Sequence, residues 1–244
     1  MKRQRFTKNI LIMGLICSTI LLGSRYGSTN GSIYVETFQN YFRTPFPRWK
    51  MRKNSPSTAA RIYSIKSEGK NKYLHASTAK NSDLSIQIVK VLKWNIWKKP
   101  VLSWKWRAHQ LPFGANELNK KTNDSAAAIY VIFQRSWSPS RNWKKKPVNV
   151  LKYIWSTSLP KGKVVHQRAR KKYGVTYYEG NFYVLQSGNR NLGKWITERR
   201  NVLQDYKRAF GKKPRYNPMA IGILTDSNAV KKTAVADYDD IILE

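Results

Sequence analysis

Residues 101–109, VLSWKWRAH, alternate strictly, with Leu102, Trp104, Trp106 and Ala108 on one side of an extended chain and Ser103, Lys105, Arg107 and His109 on the other. A helix would scatter those residues around its axis. The run therefore predicts a strand with an aromatic face toward a core and a charged face toward water. Similar short runs recur at residues 33–38 (IYVETF), 61–66 (RIYSIK), 73–76, 84–89 (LSIQIV), 151–157, 177–178, 182–186 (FYVLQ), 219–225 and 235–243 (VADYDDIIL). Residues 125–133 (SAAAIYVIF) are nearly all apolar, which suits a strand covered on both faces. Glu68-Gly69-Lys70-Asn71 reads as a hairpin turn between two of these strands.

One stretch breaks the pattern. Trp195, Arg199, Val202, Tyr206 and Phe210 recur at helical spacing, and Gly211 with Pro214 supplies a stop. This predicts a helix over residues 195–210, with Glu198, Asn201 and Asp205 on one stripe of it. Residues 39–56, 116–124 and 137–147 read as loops, and the charge run at 168–172 as another. The expected fold is mostly β: an antiparallel β-sandwich or jelly roll of about ten strands with one late inserted α-helix. With no repeat or internal linker, residues 33–244 form one domain.

The N-terminus carries Lys2, Arg3, Arg5 and Lys8, then an uncharged apolar stretch over residues 10–23. That is the layout of a secretory signal, and it is short for a membrane span of about 20 residues. Residues 1–24 are therefore expected to be a signal peptide or an N-terminal anchor, and 25–32 a short linker. The expected location is the periplasm or cell envelope. Cys17 is the single cysteine and lies inside this segment. A cleaved chain would hold no disulfide, no cysteine-ligated zinc and no cysteine nucleophile.

Against 46 basic residues stand 13 acidic ones, a formal charge of +33, and removing the four cations of residues 1–24 leaves +29. Such a field attracts anions: acidic polysaccharide, envelope polymer, an anionic membrane surface or nucleic acid. Nucleic acid is the least favoured, because the chain is read as exported and carries no recognition motif. His-Glu-x-x-His, Gly-x-Ser-x-Gly, Walker and dinucleotide-binding signatures are absent from the sequence. For a glycan ligand, Trp137 and Trp143 beside Lys144 offer ring faces and charge, with Arg107 and Asn201 as planar hydrogen-bonding groups.

The segments LSWKWRAHQLP (102–112), TNDSAAAIYVIF (122–133), LKYIWSTSLPKG (151–162), WITERRNVLQDYKRAFG (195–211), AIGILTDS and DYDDI resemble the bacterial domain-of-unknown-function 3047 family. The resemblance implies an exported β-rich domain with no established activity. Around these blocks, Asp124 and Asp226 fall at strand ends beside the expected helix and join Glu198 and Asp205 as candidate acids. Glu198 and Asp205 would lie about 10.5 Å apart along a helix, too far to be a hydrolytic pair by themselves. The closing Tyr-x-Asp-x-Ile strand is more distantly similar to galactose-binding-like jelly rolls of carbohydrate-binding modules. There the first and last strands are neighbours and often hold a structural calcium, which would place it at Glu36 and Asp240. Two functions follow as expectations: a module binding an anionic glycan or envelope polymer, or a carbohydrate-active enzyme using acids of the 124/198/205/226 set.

Overall fold

Trp104 and Trp106 are fully buried, and their rings meet Tyr153 and Trp155 of a second sheet at centroid distances of 5.3 and 6.2 Å. Burying a large aromatic side chain contributes roughly 2–3 kcal/mol, so these facing rings hold the two sheets together. The computed structural model describes residues 31–51, 55–172 and 174–244; residues 1–24, expected to be a signal peptide or anchor, and most of the expected linker lie outside the described residues.

The first sheet has six strands, ordered β11 (Ile196–Asn201), β6 (Val101–Gln110), β13 (Val235–Leu243), β4 (Asn71–Ser77) and β3 (Tyr63–Glu68), with β1 (Ile33–Glu36) on β13. The second has seven: β2 (Lys50–Met51), β5 (Ile88–Val91), β12 (Pro218–Leu224), β7 (Ala127–Gln134), β8 (Val148–Ser156), β10 (Val175–Ser187) and β9 (Val164–Lys172). Two α-helices, α1 (Pro56–Ala59) and α2 (Val202–Phe210), are present among the described residues. This is the expected β-sandwich. Among the described residues its one parallel pair is β8 with β10, and the other strand pairs are antiparallel. The hairpin at 68–71 forms as expected, with Gly69 at φ +60° in a region that favours glycine.

Several expectations change: residues 84–87 precede β5 and do not belong to it, and the strands expected at 177–178 and 182–186 are one strand, β10. Residues 196–201 are a strand, not the first turns of a helix, because they pair with β6 from Ile196↔Trp106 to Asn201↔Val101. Asn201 ends that strand and caps α2, its side chain accepting a hydrogen bond from the Gln204 amide. The charge run at 168–172 belongs to β9, not to a loop. Charged side chains suit an edge strand, which must discourage its own self-pairing.

Among the described residues, no helix is long and apolar enough to cross a membrane.

Candidate functional site

Successive residues of β8 point to opposite faces, and the outer face of the seven-stranded sheet is built from that alternation. Leu151, Tyr153 and Trp155 face the inter-sheet core, while Val148, Val150 and Ile154 face outward with Ala128, Ile132, Phe182 and Val184. Lys152 occupies the centre of this outer face and is buried, its ammonium 4.6 Å from the Phe182 ring centroid and 5.5 Å from that of Tyr130.

Three carboxyls gather around Lys152. Glu117 accepts hydrogen bonds from Ser125 (2.9 Å) and Ser156 (2.6 Å), and Lys152 Nζ reaches Ser125 Oγ at 3.3 Å. Asp124 is fully buried, with one oxygen accepting the Ala229 and Val230 amides at 2.9 and 2.8 Å. Asp226 follows β12, and its amide bonds to the Ser125 carbonyl. The second oxygens of Asp124 and Asp226 are buried with no hydrogen-bond partner among the described residues. Burial pushes the Asp124 carboxyl up against the pull of those amides and Lys152; burial and then Asp124 push Asp226 up against the pull of Lys152. Burial drives the Lys152 ammonium down, and Glu117, Asp226 and Asp124 offset part of that effect. Tyr238 fixes the strand ends that carry both aspartates, its hydroxyl accepting from the Ala128 amide and donating to the Leu224 carbonyl.

Beside this cluster, on the same face, lies a shallow groove of about 50 Å³ lined by Gln87, Tyr130, Ile132, Val148, Val150, Tyr178, Lys144 and Lys146. Gly222 keeps its floor low: a β-carbon there would sit 3.1 Å from the Gln87 amide and 3.3 Å from Tyr130. The two lysines come from the β7–β8 loop, which also presents Trp137, 71% exposed. Trp143 begins a short 3-10 turn in that loop.

The candidate acids do not share one cleft. Asp124 and Asp226 lie on the Lys152 side of the seven-stranded sheet. Asp205 lies on the other side, bonded to Tyr153 at 2.9 Å and held bidentately by Arg200 at 2.9 and 2.6 Å. The sheet itself stands between them, because Lys152 and Tyr153 are neighbours in one strand. Glu198 is engaged by Gln186 at 2.7 Å, and its carboxyl is pushed up chiefly by burial.

Other candidates take structural roles. Arg107 is buried with its guanidinium on Asp237 (2.9 and 2.8 Å) and Glu68 (3.1 Å), packed against the rings of Trp195 and Tyr73, and not open to a ligand. Asn201 is the helix cap. β1 and β13 are neighbours as expected, but Glu36 and Asp240 do not fit a calcium ion. Glu36 is neutralised by Lys90 at 2.7 Å and bonded by Tyr41 and Trp49, while Asp240 pairs with Lys105 at 2.9 Å. Burial alone would raise the Glu36 carboxyl; Lys90, with the hydrogen bonds from Tyr41 and Trp49, outweighs it and holds the group low. Among the described residues, no group of three or more His, Cys, Asp or Glu side chains is placed to hold a metal.

Sequence reasoning missed Lys152, Glu117, Tyr130 and Asp237. A signal for the first was present: one lysine inside the otherwise apolar stretch LKYIW. The family model described as "Protein of unknown function (DUF3047)" matches residues 47–242. The chain belongs to this family. No curated protein matches it in sequence. Among solved structures, the DUF3047 chain is similar to the family 11 carbohydrate-binding module of the cellulosomal cellulase Lic26A-Cel5E of Clostridium thermocellum. That match has a TM-score of 0.42 and 12% identity over 88% of this chain and 95% of that one. It is also similar to the xyloglucanase domain of NopAA, a type three effector from Sinorhizobium fredii solved with cellobiose, with a TM-score of 0.41 and 7% identity over 80% and 92% of the two chains.

Proposed function

We propose that this DUF3047 protein is an exported, non-catalytic β-sandwich that binds an anionic glycan or envelope polymer on the outer face of its seven-stranded sheet. The observation that carries the reading is the groove beside Lys152, where the rings of Tyr130 and Tyr178 meet Gln87, Lys144 and Lys146, with Trp137 exposed on the loop above. Sugar rings need flat aromatic surface and a few fixed polar groups, and acidic substituents need cations. The groove supplies all three within a chain of formal charge +33, and the apolar N-terminal segment supports a place in the periplasm or at the cell envelope. An enzyme built on the 124/198/205/226 acids is not favoured, since the sheet separates Asp205 from Asp124 and Asp226.

The test is retention of the mature chain on uronate polysaccharide across a salt series. Binding should weaken steeply as salt rises from about 0.05 to 0.5 M, because exposed charge pairs are screened. Lys144→Ala with Lys146→Ala should weaken it about tenfold, and Trp137→Ala several-fold, while thermal unfolding stays unchanged. Retention that ignores salt, or that survives all three substitutions, would remove the reading.

A further inference from the structure

A cavity of about 590 Å³ that shares no lining residue with the groove runs along β9. Val164, Val165, His166 and Gln167 line it consecutively. Consecutive residues of a strand face opposite ways, so a cavity that touches all four meets the edge of the strand and not a face. β10 already occupies one edge of β9, with Phe182↔Val165, Asn181↔His166 and Gly180↔Gln167 in register. The cavity therefore lies against the other edge, where β9 is the last strand of its sheet. Among the described residues, no backbone hydrogen bond outside the β9–β10 ladder involves Val164–Lys172. Leu118, Lys120 and Asn123 form the opposite wall, with Leu118 59% exposed.

We infer that this edge is a strand-addition site for an extended acidic peptide segment, which would pair with β9 and lie between it and the 118–123 wall. A free ladder of N–H and C=O groups beside a walled groove is the geometry that accepts an added strand, with main-chain bonds giving affinity and alternate side chains giving selectivity. The charges select the occupant. Lys120, Lys163 and Arg170 line the cavity together with one carboxylate, Glu117, which is buried and already accepts hydrogen bonds from Ser125 and Ser156; Lys171 continues the strand, so a second copy of β9 would bring like charge against like. The chain's own N-terminal segment is basic and is disfavoured on the same ground. A segment alternating acidic and aliphatic residues satisfies both walls: its carboxylates meet Lys163 and Arg170, and its aliphatic side chains meet Leu118.

The experiment uses the full chain and a fluorescent ten-residue peptide of alternating glutamate and valine, followed by anisotropy. Two further peptides keep its charge but carry N-methyl groups on alternate amides, one for each register. Strand addition predicts that the parent peptide binds, that at least one N-methylated peptide binds about tenfold more weakly, and that Lys163→Glu with Arg170→Glu gives a similar loss. Lys144→Ala with Lys146→Ala should leave peptide binding unchanged, which keeps this site separable from the glycan groove. The inference is overturned if both N-methylated peptides bind as well as the parent, since that is charge attraction alone. It is equally overturned if no acidic peptide binds, if uronate polysaccharide displaces the peptide through these residues, or if the free protein is a dimer that Lys163→Glu dissociates.

Discussion

The two outer faces of the sandwich both bury acidic residues, and they treat them in opposite ways. On the six-stranded sheet, Asp237 is fully buried and receives His75 at 2.7 Å, His109 at 2.6 Å and Arg107 at 2.9 and 2.8 Å. Burial alone would raise its carboxyl, but His109, His75 and Arg107 outweigh burial and hold it well below the usual range. On the seven-stranded sheet, Asp124 and Asp226 each keep one oxygen without a partner among the described residues, and both carboxyls are pushed up. Removing a charge from a filled network leaves its partners stranded, whereas removing one from an incomplete network strands little. The filled face is thus a structural tie across β4, β13 and β6, and the incomplete one has acceptor capacity to spare.

The sharpest break of this contrast is Asp237→Asn. It leaves Arg107 with only the exposed Glu68 as a carboxylate partner and should cost about 3–5 kcal/mol in urea unfolding at pH 7. The pH course follows from the depressed carboxyl. Its stabilisation is present above the unfolded carboxylate value of about 4 and is lost only as pH falls below it. The gap between parent and variant should therefore persist from pH 7 to about pH 4 and then narrow. A loss under about 1 kcal/mol at pH 7 would contradict the tie.

Two residues along the same strand, Asp239 tests the rule inside the filled face. It is buried, and its carboxyl is pushed up to about 6 by burial, against the pull of its hydrogen bond from Asn71. A carboxyl raised in the folded state keeps its proton longer there than in the unfolded chain, so stability falls as pH rises from about 4 to 6. Asp239→Asn should then raise stability at pH 7 by about 2 kcal/mol, with the gain disappearing below about pH 4. Melting temperatures of parent and variant across that range would show it. A variant less stable than the parent at pH 7 would mean that the Asn71 bond, not the buried charge, dominates.

How much of this was readable in the sequence depended on whether the deciding contacts were local. β6 and β13 were legible because period-2 alternation places Trp104 and Trp106 inward whatever their partners are. Residues 195–201 continue the helical spacing of Val202, Tyr206 and Phe210, and only pairing with β6, about a hundred residues earlier, makes them extended. β9 was hidden by its own charges, which read as a loop until its place at the edge of a sheet is known. Asp124 and Asp226 were found as strand-end acids. Their partner Lys152 was not, since its burial depends on Phe182 and Tyr130 of two other strands. Asp205 was misjudged for a related reason: face assignment in β8 sends Tyr153 to Asp205 and Lys152 to Asp226.

Asp226→Asn offers the smallest effect and the closest control. It applies the same chemical change as Asp237→Asn, at a residue 9% exposed on the opposite face. Two terms oppose each other. Losing the charge relieves the burial and the repulsion from Asp124 that push this carboxyl up, while Lys152 loses one of three nearby carboxyls. Glu117 and Asp124 remain to balance Lys152, so the terms should nearly cancel and unfolding free energy should move by no more than about 1 kcal/mol at pH 7. The comparison is carried by the ratio of the two asparagine variants measured under one set of conditions. If Asp226→Asn costs as much as Asp237→Asn, then unseen partners complete the Lys152 cluster and the two faces are built alike. If it is near neutral, the orphan oxygens beside Lys152 carry no stabilising duty, and the two faces differ in energy as they differ in hydrogen bonding.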